Sequence, residues 1–489
     1  IASVCMAIFK SRYITPGYDL SDKEQKQAIR NQVFQDEKIA IVPYDQQKFI
    51  RGSFFGGRTN SIKLKYNFTG DEIGVYSDIT SLYPAVNYYD EYPIGHPVEI
   101  TENFGDITKY FGFIDCYVIP PKGLYFPVLP RKDGKLLFDL DPKRGTWTTI
   151  ELNKAIEMGY KVTEVYKVLH YKRRSNSIFK GYVSTFLKVK QEASDYPDWC
   201  KTEGDKDKYI QDYYDRQGIQ LDKSKIKKNP GLRAIAKLCL NSLWGKFGQR
   251  LNMPKTEIIS DTARFNKIMF DDKYEGQVWS MIDDERMDMK YKEKEESIAD
   301  DYNTNIAIAS FTTSHARLRL YWSLEKLGRQ VLYHDTDSVV YVYDKNNPKH
   351  YRIQNGDLLG EWTDELEGVD MCGTFLGAGP KNYSYETTDG ELHTKVKGFT
   401  LDYKTITPTK ESMGINHESI EKMIDSRVEG ELCGPELKIP IQYRMITRNA
   451  KEKVITTESI TKRYGFVYEK RQIQLPDSRG NVDTLPFGF

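Results

Sequence analysis

The chain lacks several features that would assign it to common classes of protein. Its six cysteines are scattered, with no Cys-x-x-Cys pair and no histidine at ligand spacing, which predicts reduced thiols and no zinc or iron–sulfur site. No apolar run approaches the ~18 residues needed to cross a bilayer, so we expect no membrane partner. The apolar opening, Ile1 to Phe9, lacks a basic start, which favours a core helix at a cut site over a signal peptide. We therefore expect a fragment of a longer intracellular protein, in a compartment that the sequence leaves open.

Global charge is also uninformative, because 71 basic and 70 acidic side chains leave a formal net charge of +1. Local charge is not balanced. Residues 161–190 and 221–250 each hold eight Lys or Arg and one acid, and residues 441–474 hold eight basic and three acidic side chains. Such stripes, interleaved with aromatic residues, suit contact with phosphates and bases, although any one of them is also typical of a solvated face.

Two carboxylates, Asp335 and Asp337, lie in the middle of an apolar, β-branched stretch that reads as two buried strands, 331–333 and 339–343. Burying like charges there is costly unless a cation neutralises them, and a divalent metal with oxygen ligands is the natural candidate. The alternative is an Asp-rich turn that caps a hairpin.

Two further segments favour the metal site. Residues 73–78 read as a strand that delivers Asp78 to a sharp turn, and Pro84 suits the first turn of a following helix. The free amides around Ser81 to Tyr83 would then form an anion site beside an acid, as a triphosphate requires.

The third segment, residues 233–246, has helical period. Its polar and aromatic side chains at i, i+4, i+8 and i+11 share one face: Arg233, Lys237, Asn241 and Trp244. A solvated basic face is the alternative for any single helix.

Together these segments resemble motifs A, B and C of the family B DNA polymerases. The matching elements are Asp-x-x-Ser-Leu-Tyr-Pro from Asp78, Lys-x-x-x-Asn-Ser-x-Trp-Gly from Lys237 and Tyr-x-Asp-Thr-Asp-Ser from Tyr333. Trp244 stands where the family usually has Tyr, which keeps an aromatic face but removes a hydroxyl.

The resemblance implies a DNA-templated DNA polymerase with a two-metal site. The catalytic acids would be Asp78, Asp335 and Asp337, and two Mg²⁺ ions, replaceable by Mn²⁺, would be held by Asp78, the carbonyl of Ile79, and Asp337. The implied dNTP-binding residues are Ser81, Leu82, Tyr83, Arg233, Lys237, Asn241 and Trp244. Among them, Tyr83 would exclude a 2'-hydroxyl. Lys225, three helical turns upstream of Lys237, is a weaker phosphate candidate.

Weaker matches resemble the protein-primed branch of the family, found in certain phages, adenoviruses, linear plasmids and Maverick/Polinton-type elements. Phe54-Phe55-Gly56-Gly57 is similar to its Tyr-x-Gly-Gly element, and Lys381-Asn382-Tyr383 to its Lys-x-Tyr element. The implied partners are a DNA template-primer, dNTPs and a terminal protein, acting with a monomeric enzyme. The implied DNA-binding residues are Phe54, Phe55, Gly56, Gly57, Arg58, Thr336, Lys381, Tyr383, Lys395 and Lys397.

The implied fold class is α+β, a right-hand polymerase fold with an antiparallel palm sheet, helical fingers, a thumb and terminal-protein-region insertions. The expected order is a lead-in at 1–70, palm at 71–97, a first insertion at 98–175, fingers at 176–250, a second insertion at 251–300, palm at 301–400 and thumb at 401–489. About fifty residues precede Phe54, too few for an ordinary exonuclease domain, so we expect synthesis without proofreading.

Within the second insertion, we expect an adaptable apolar edge from Trp279, Met281, Met287 and Met289, and an exposed charged helix or ribbon from Asp283 to Asp301. Two alternatives to protein priming stay open. One is a family B polymerase that uses nucleic-acid primers, and the other is an inactive relic that binds DNA or a terminal protein. The complete set of acids, with Lys237 and Asn241, argues against the relic.

Overall fold

The computed structural model of the chain describes residues 1–14, 39–298, 303–409, 412–428, 438–449, 452 and 454–489. The helices, numbered in chain order, are α1 Ala2–Phe9, α2 Tyr44–Ile50, α3 Leu82–Tyr89, α4 Thr149–Glu157, α5 Lys180–Glu192, α6 Glu203–Gln217, α7 Pro230–Phe247, α8 Thr262–Phe270, α9 Ile306–Leu327, α10 Tyr403–Ile406 and α11 His417–Val428. None of these helices is long and apolar enough to cross a membrane.

A central antiparallel sheet organises the molecule. Its strands are β1 Thr59–Ser61, β2 Lys63–Asn67, β3 Glu72–Ile79, β15 Val331–Asp335, β16 Ser338–Asp344, β17 Trp362–Asp364, β18 Met371–Gly377, β19 Asn382–Thr387, β20 Leu392–Val396, β23 Gln472–Ile473 and β24 Val482–Leu485. The main path runs β1-β15-β16-β3-β18-β2-β24-β23, while β17 pairs with β3 and β19 lies between β18 and β20. Because β16 and β3 are neighbours in register Ser338 to Asp78, the two predicted acidic segments end at the same edge.

Smaller sheets flank this one. Residues 98–170 contain the sheet β5-β10-β6-β9, formed by Val98–Ile100, Lys161–His170, Gly112–Ile119 and Lys143–Thr148. The remaining sheets are β4 Tyr92–Ile94 with β11 Arg173–Ser175, β7 Arg131–Asp133 with β8 Lys135–Leu137, β12 Lys255–Ile259, β14 Met287–Glu293 and β13 Tyr274–Met281, and β21 Lys438–Asn449 with β22 Val454–Gly465.

Helix α9 packs against the central sheet, since its Leu320 and Leu324 lie in one hydrophobic cluster with Val75 and Val339. Its N-terminus is capped by Asn305, whose side chain accepts a bond of 3.0 Å from the amide of Ile308. Nearly every residue from Ile306 to Leu320 is buried, because apolar and small side chains occupy all faces of the helix. Two arginines of this helix form ion pairs: Arg317 with Glu151, and Arg319 with Asp90.

The ends of the chain lie outside the segments to which the sequence assigned them. Phe9 of the predicted lead-in stacks on Phe179 at 5.3 Å and meets Phe247 edge-on at 6.0 Å, so α1 packs with α7 and the start of α5. At the other end, β24 pairs with β2 in the central sheet, and Val482 is fully buried there. Strand pairing across more than four hundred residues is not readable from local pattern, which explains the difference from the predicted thumb boundary.

The second insertion forms a small unit of its own. Helix α8 covers one face of the β12-β14-β13 sheet, around a core of Ile259, Ile268, Met289 and Tyr291. Met289 is fully buried in that core, so it does not contribute to the apolar edge that we predicted, whereas Trp279 and Met281 remain about half exposed. Alternation along β14 sends Met289 and Tyr291 toward the helix, and Asp288, Lys290 and Lys292 toward the other face. Residues 299–301 of the predicted charged run lie outside the described residues.

Candidate active site

The turn after β3 places Asp78 beside a helix start. The amide of Ile79 donates to the carbonyl of Asp337 at 2.7 Å, which joins this turn to the β15–β16 hairpin. Ser81 has a left-handed backbone, with φ of 54°, and α3 begins at Leu82. The predicted geometry is therefore present: an acid, a sharp turn, and unpaired amides at the first turn of a helix.

The β15–β16 hairpin closes tightly between its two acids. The amide of Asp337 donates to the carbonyl of Asp335 at 2.6 Å, across Thr336 with φ of 59°. The amide of Thr336 in turn donates to the carbonyl of Arg58 at 2.8 Å. A β-branched residue at positive φ is strained and persists only where its surroundings hold it.

Neither Asp78 nor Asp337 forms an ion pair with another side chain of the described residues. Burial, together with the carboxylates of Asp337 and Glu365 and against the opposing charge of Lys237, raises the pKa of Asp78 to about 7. The pKa of Asp337 is also raised, chiefly by burial. Two partly buried acids that repel each other are stabilised by a divalent cation.

Asp335 has a different environment. Its side chain accepts bonds from the hydroxyl of Thr59 at 2.7 Å and from Nζ of Lys381 at 2.6 Å, with Tyr333 at 3.3 Å. These partners already use its oxygens, so it is a poorer metal ligand than Asp337.

The donor set fits hard divalent cations. Across the described ranges, no three His, Cys, Asp or Glu side chains come together in a metal-binding cluster. Asp78 and Asp337, with the backbone carbonyl of Ile79, are the oxygen donors that the sequence predicts for a metal. Oxygen donors of this kind suit Mg²⁺ or Mn²⁺.

The helix α7 presents the predicted polar face. Arg233, Lys237 and Asn241 are exposed, while Ala236, Cys239, Leu240 and Leu243 on the opposite face are buried. Asn229 caps the helix, accepting a bond of 3.0 Å from the amide of Leu232, and Pro230 occupies its first turn.

Tyr83 and Trp244 link the two halves of the site. Their rings stack with centroids 4.2 Å apart and planes inclined by 20°. The turn after β3 and the exposed face of α7 therefore meet, and the helix face is not simply a solvated surface.

The sequence analysis missed Lys190 as a further cation. Burial, Arg233 and Lys237 together lower the pKa of Lys190 to about 8. Three basic side chains therefore converge where a polyanion would be bound. Lys225 differs from its predicted position: it lies in a 3₁₀ turn, pairs with Asp222 at 3.1 Å and stands outside α7, which begins at Pro230.

Glu365 is a second residue that the motifs did not reveal. It is exposed and follows β17, whose register places Thr363 opposite Asp78. Its charge raises the pKa of both Asp78 and Asp337. Only the pairing of β17 with β3 brings this acid to the site.

The loop of residues 54–58 supports the hairpin turn from behind. A Cβ atom on Gly57 would lie 2.5 Å from Oγ1 of Thr336, so only glycine permits this approach. Phe55 is mostly buried, Phe54 is partly buried, and Gly56 is exposed.

The side chain of Arg58, predicted to bind DNA, is buried in the protein interior, which favours a structural role. It is 3% exposed, its Nη1 donates to the carbonyl of Pro127 at 2.7 Å, and its guanidinium lies 4.2 Å from the ring centroid of Phe138. Burial lowers its pKa to about 10. The rings of Phe126, Phe138 and Tyr321, all distant in the chain, create this environment, which local sequence does not reveal.

The predicted primer-binding residues include both exposed and buried side chains. Lys395 and Lys397 are exposed, and Lys381 reaches Asp335 from a strained backbone with φ of 61°. Tyr383, by contrast, is 5% exposed, and its hydroxyl pairs with that of Tyr76 at 3.2 Å. A side chain this buried supports the site by packing.

Lys470 is a further cation of this region. Its Nζ donates to the carbonyl of Thr59 at 3.2 Å. Burial, with Lys135 and Arg58, lowers its pKa to about 8, while Asp335 raises it. Lys470 lies between β22 and β23, outside the motifs recognised in the sequence.

Comparison with known families decides the identity of this arrangement. The model of the family "DNA polymerase type B, organellar and viral" matches residues 1–202 and 198–326. The chain belongs to this family. The matched residues include the segment with Asp78 and the helical segment 233–246. Asp335 and Asp337 lie just beyond the end of the match.

Curated relatives of the chain carry names that agree with this family. A "Probable DNA polymerase" of Neurospora intermedia is 22% identical over 396 residues, covering 78% of this chain and 33% of the relative. A second "Probable DNA polymerase", from Agaricus bitorquis, is 25% identical over 403 residues, covering 75% and 44%. The chain thus spans less than half the length of these relatives.

Solved structures confirm the predicted fold class. Phi29 DNA polymerase in a ternary complex with primer-template DNA and incoming nucleotide has a TM-score of 0.56 at 15% identity, covering 94% of this chain and 66% of that one. Its binary complex with primer-template DNA gives 0.57 at 17%, with 94% and 67% covered. The type B polymerase fold is therefore α+β, as the three motifs implied.

Proposed function

We propose that this chain is the polymerising part of a DNA-templated DNA polymerase, which transfers nucleotides from dNTPs to a primer 3'-hydroxyl. The observation that carries the proposal is the convergence of Asp78 and Asp337, two uncompensated acids, opposite the cationic face of α7. A nucleotide triphosphate and a divalent metal together complement both halves of this arrangement.

Asp78, Asp337 and the carbonyl of Ile79 would hold the metal. Two Mg²⁺ ions, or Mn²⁺ in their place, would activate the primer hydroxyl and neutralise the departing pyrophosphate. Asp335 orients Lys381, whose cation would lie beside the primer end. The site contributes mainly positioning and charge neutralisation.

The triphosphate would lie between two groups of donors. Positive charge comes from α7 and α5, through Arg233, Lys237 and Lys190. Hydrogen-bond donors come from the opposite side, through the amides of Ser81 and Leu82. The stacked pair of Tyr83 and Trp244 would form the floor for the sugar and base, with Asn241 beside it. Tyr83 is then placed to reject a 2'-hydroxyl.

We further propose that synthesis starts from the hydroxyl of a terminal protein and that the enzyme is a monomer with template-primer DNA as its other partner. The similarity of residues 54–57 and 381–383 to elements of the protein-primed branch supports this priming mode. Exposed Lys395 and Lys397 would bind the backbone of the duplex.

The test is incorporation of labelled dNTP on a primed template, with Mg²⁺, with Mn²⁺ and with chelator. We expect extension that requires the metal. A second arm supplies single-stranded template with a candidate terminal protein and no nucleic-acid primer. Nucleotide linked covalently to that protein supports protein priming, and extension of DNA primers alone supports the ordinary mode. Binding of DNA without any incorporation would refute the polymerase assignment.

A further inference from the structure

A buried ion pair connects the flanking sheet domain to helix α9. Arg317 of α9 donates to Glu151 of α4 through Nε and Nη2, each at 2.7 Å, and their side chains are 3% and 1% exposed. Ser314 adds a bond of 2.8 Å to the same carboxylate. A bidentate arginine–carboxylate pair of this kind fixes the plane of the guanidinium.

The remaining guanidinium nitrogen points at the loop of residues 54–58. Nη1 of Arg317 donates to the carbonyl of Phe55 at 2.7 Å and to that of Gly56 at 3.0 Å. These carbonyls have a charged donor in the interior, so their position depends on where Arg317 is held.

The same loop holds the turn between the catalytic acids. The carbonyl of Arg58 accepts the amide of Thr336 at 2.8 Å, the hydroxyl of Thr59 donates to Asp335 at 2.7 Å, and Gly57 packs directly against Thr336. A continuous series of bonds therefore leads from Glu151 through Arg317 and the loop to the residue between Asp335 and Asp337.

We propose that Glu151 is a positioning residue for nucleotide transfer: by fixing Arg317 it sets the loop that supports the β15–β16 turn. The inference rests on the proposed polymerase function. Glu151 touches neither DNA nor nucleotide in this arrangement, so its effect falls on the geometry of the acids. Misplacement of reacting groups by about 1 Å can cost about a hundredfold in rate.

The test compares single-turnover incorporation by the wild type, Glu151→Gln and Glu151→Asp. We expect Glu151→Gln to lower the saturating rate at least about tenfold, by analogy with other misplaced sites. The dNTP concentration for half-saturation should change less than about threefold, because the triphosphate donors lie on other elements. Glu151→Asp, which keeps the charge, should recover part of the rate.

A double variant separates positioning from stability. Glu151→Gln alone leaves a buried cation without its partner, and this can weaken folding. Glu151→Gln with Arg317→Met removes both charges and should restore the thermal midpoint toward the wild type. The carbonyls of Phe55 and Gly56 still lack their donor, so the rate should stay low.

Asp90→Asn is the matched control. Arg319, two residues after Arg317 on α9, donates two bonds of 3.2 Å to the carboxylate of Asp90. Neither Asp90 nor Arg319 forms a hydrogen bond to the loop of residues 54–58. The incorporation rate of Asp90→Asn should stay within about threefold of the wild-type rate, with all variants assayed well below their thermal midpoints. Full activity of Glu151→Gln or of the double variant would overturn the inference. An inactive wild type would instead refute the proposed function.

Discussion

Replacement of Arg58 distinguishes a structural cation from a DNA-binding one. The side chain is buried against Phe138 and donates to the carbonyl of Pro127 at 2.7 Å. Arg58→Ala should therefore destabilise the protein while leaving the electrostatic part of DNA binding unchanged. Lys397→Ala, at an exposed position of the proposed duplex groove, is the matched comparison.

The expected magnitudes follow from these contacts. A hydrogen bond from a charged donor is worth about 1.5–3 kcal/mol and a cation–π contact about 0.5–2 kcal/mol, partly offset because a buried charge no longer needs desolvation. We expect Arg58→Ala to lower the free energy of unfolding by about 2–4 kcal/mol. Lys397→Ala should leave it unchanged within error.

The assay is DNA affinity measured across a range of salt concentrations, together with denaturant unfolding of each variant. Each phosphate contact contributes about 0.9 to the slope of log affinity against log salt concentration. Lys397→Ala should reduce this slope by about that amount, whereas Arg58→Ala should leave it unaltered. A reduced slope with unchanged stability for Arg58→Ala would refute the structural assignment.

Three other predictions concern the site and the insertion. Asp337→Asn should reduce primer extension to below about a hundredth of the wild type without loss of duplex binding, since DNA affinity comes mainly from Lys and Arg; gel-shift and extension assays on one preparation check both. Tyr83→Val, which removes the stack on Trp244, should raise the ratio of ribonucleotide to deoxyribonucleotide incorporation in single-nucleotide competition, while Tyr83→Phe should leave the ratio unchanged. Replacement of residues 255–293 by a Gly/Ser linker should spare single-nucleotide addition, because this unit has its own core, but shorten products on a primed circle and stop synthesis at a downstream duplex. Long strand-displacement products from that deletion would show that the insertion is not needed for processive synthesis or for opening a downstream duplex.

Local periodicity predicted the parts of the site that depend on one element. The spacing of Arg233, Lys237 and Asn241 fixes a helix face whatever packs behind it, and the structure has that face exposed. The hairpin around Asp335 and Asp337 follows equally from its flanking apolar strands. In both cases the neighbouring residues predict the type of element and which side chains share a face or a turn.

Side-chain environments made by distant elements could not be read in this way. Arg58 and Tyr383 occupy plausible DNA-binding motifs, yet both are buried by aromatic residues from other strands and helices. Conversely, Glu365 and Lys190 reach the site through the pairing of β17 and the packing of α5, which no motif marks. Such contacts depend on how distant elements pack in the complete fold, so a local stretch of sequence does not predict them.

Backbone strain ties the separate parts of the site together. Three non-glycine residues with positive φ, Ser81, Thr336 and Lys381, lie at the turn after β3, between the two hairpin acids and beside Asp335. Each such conformation costs about 1–3 kcal/mol and persists only where neighbours over-determine it. The amide of Thr336 is held by the carbonyl of Arg58, and the amide of Lys381 by the hydroxyl of Tyr333 at 3.0 Å. The backbone carbonyl of Arg58 and the hydroxyl of Tyr333 thus hold the strained conformations of Thr336 and Lys381, and with them the positions of Asp335 and of the Lys381 ammonium that reaches it.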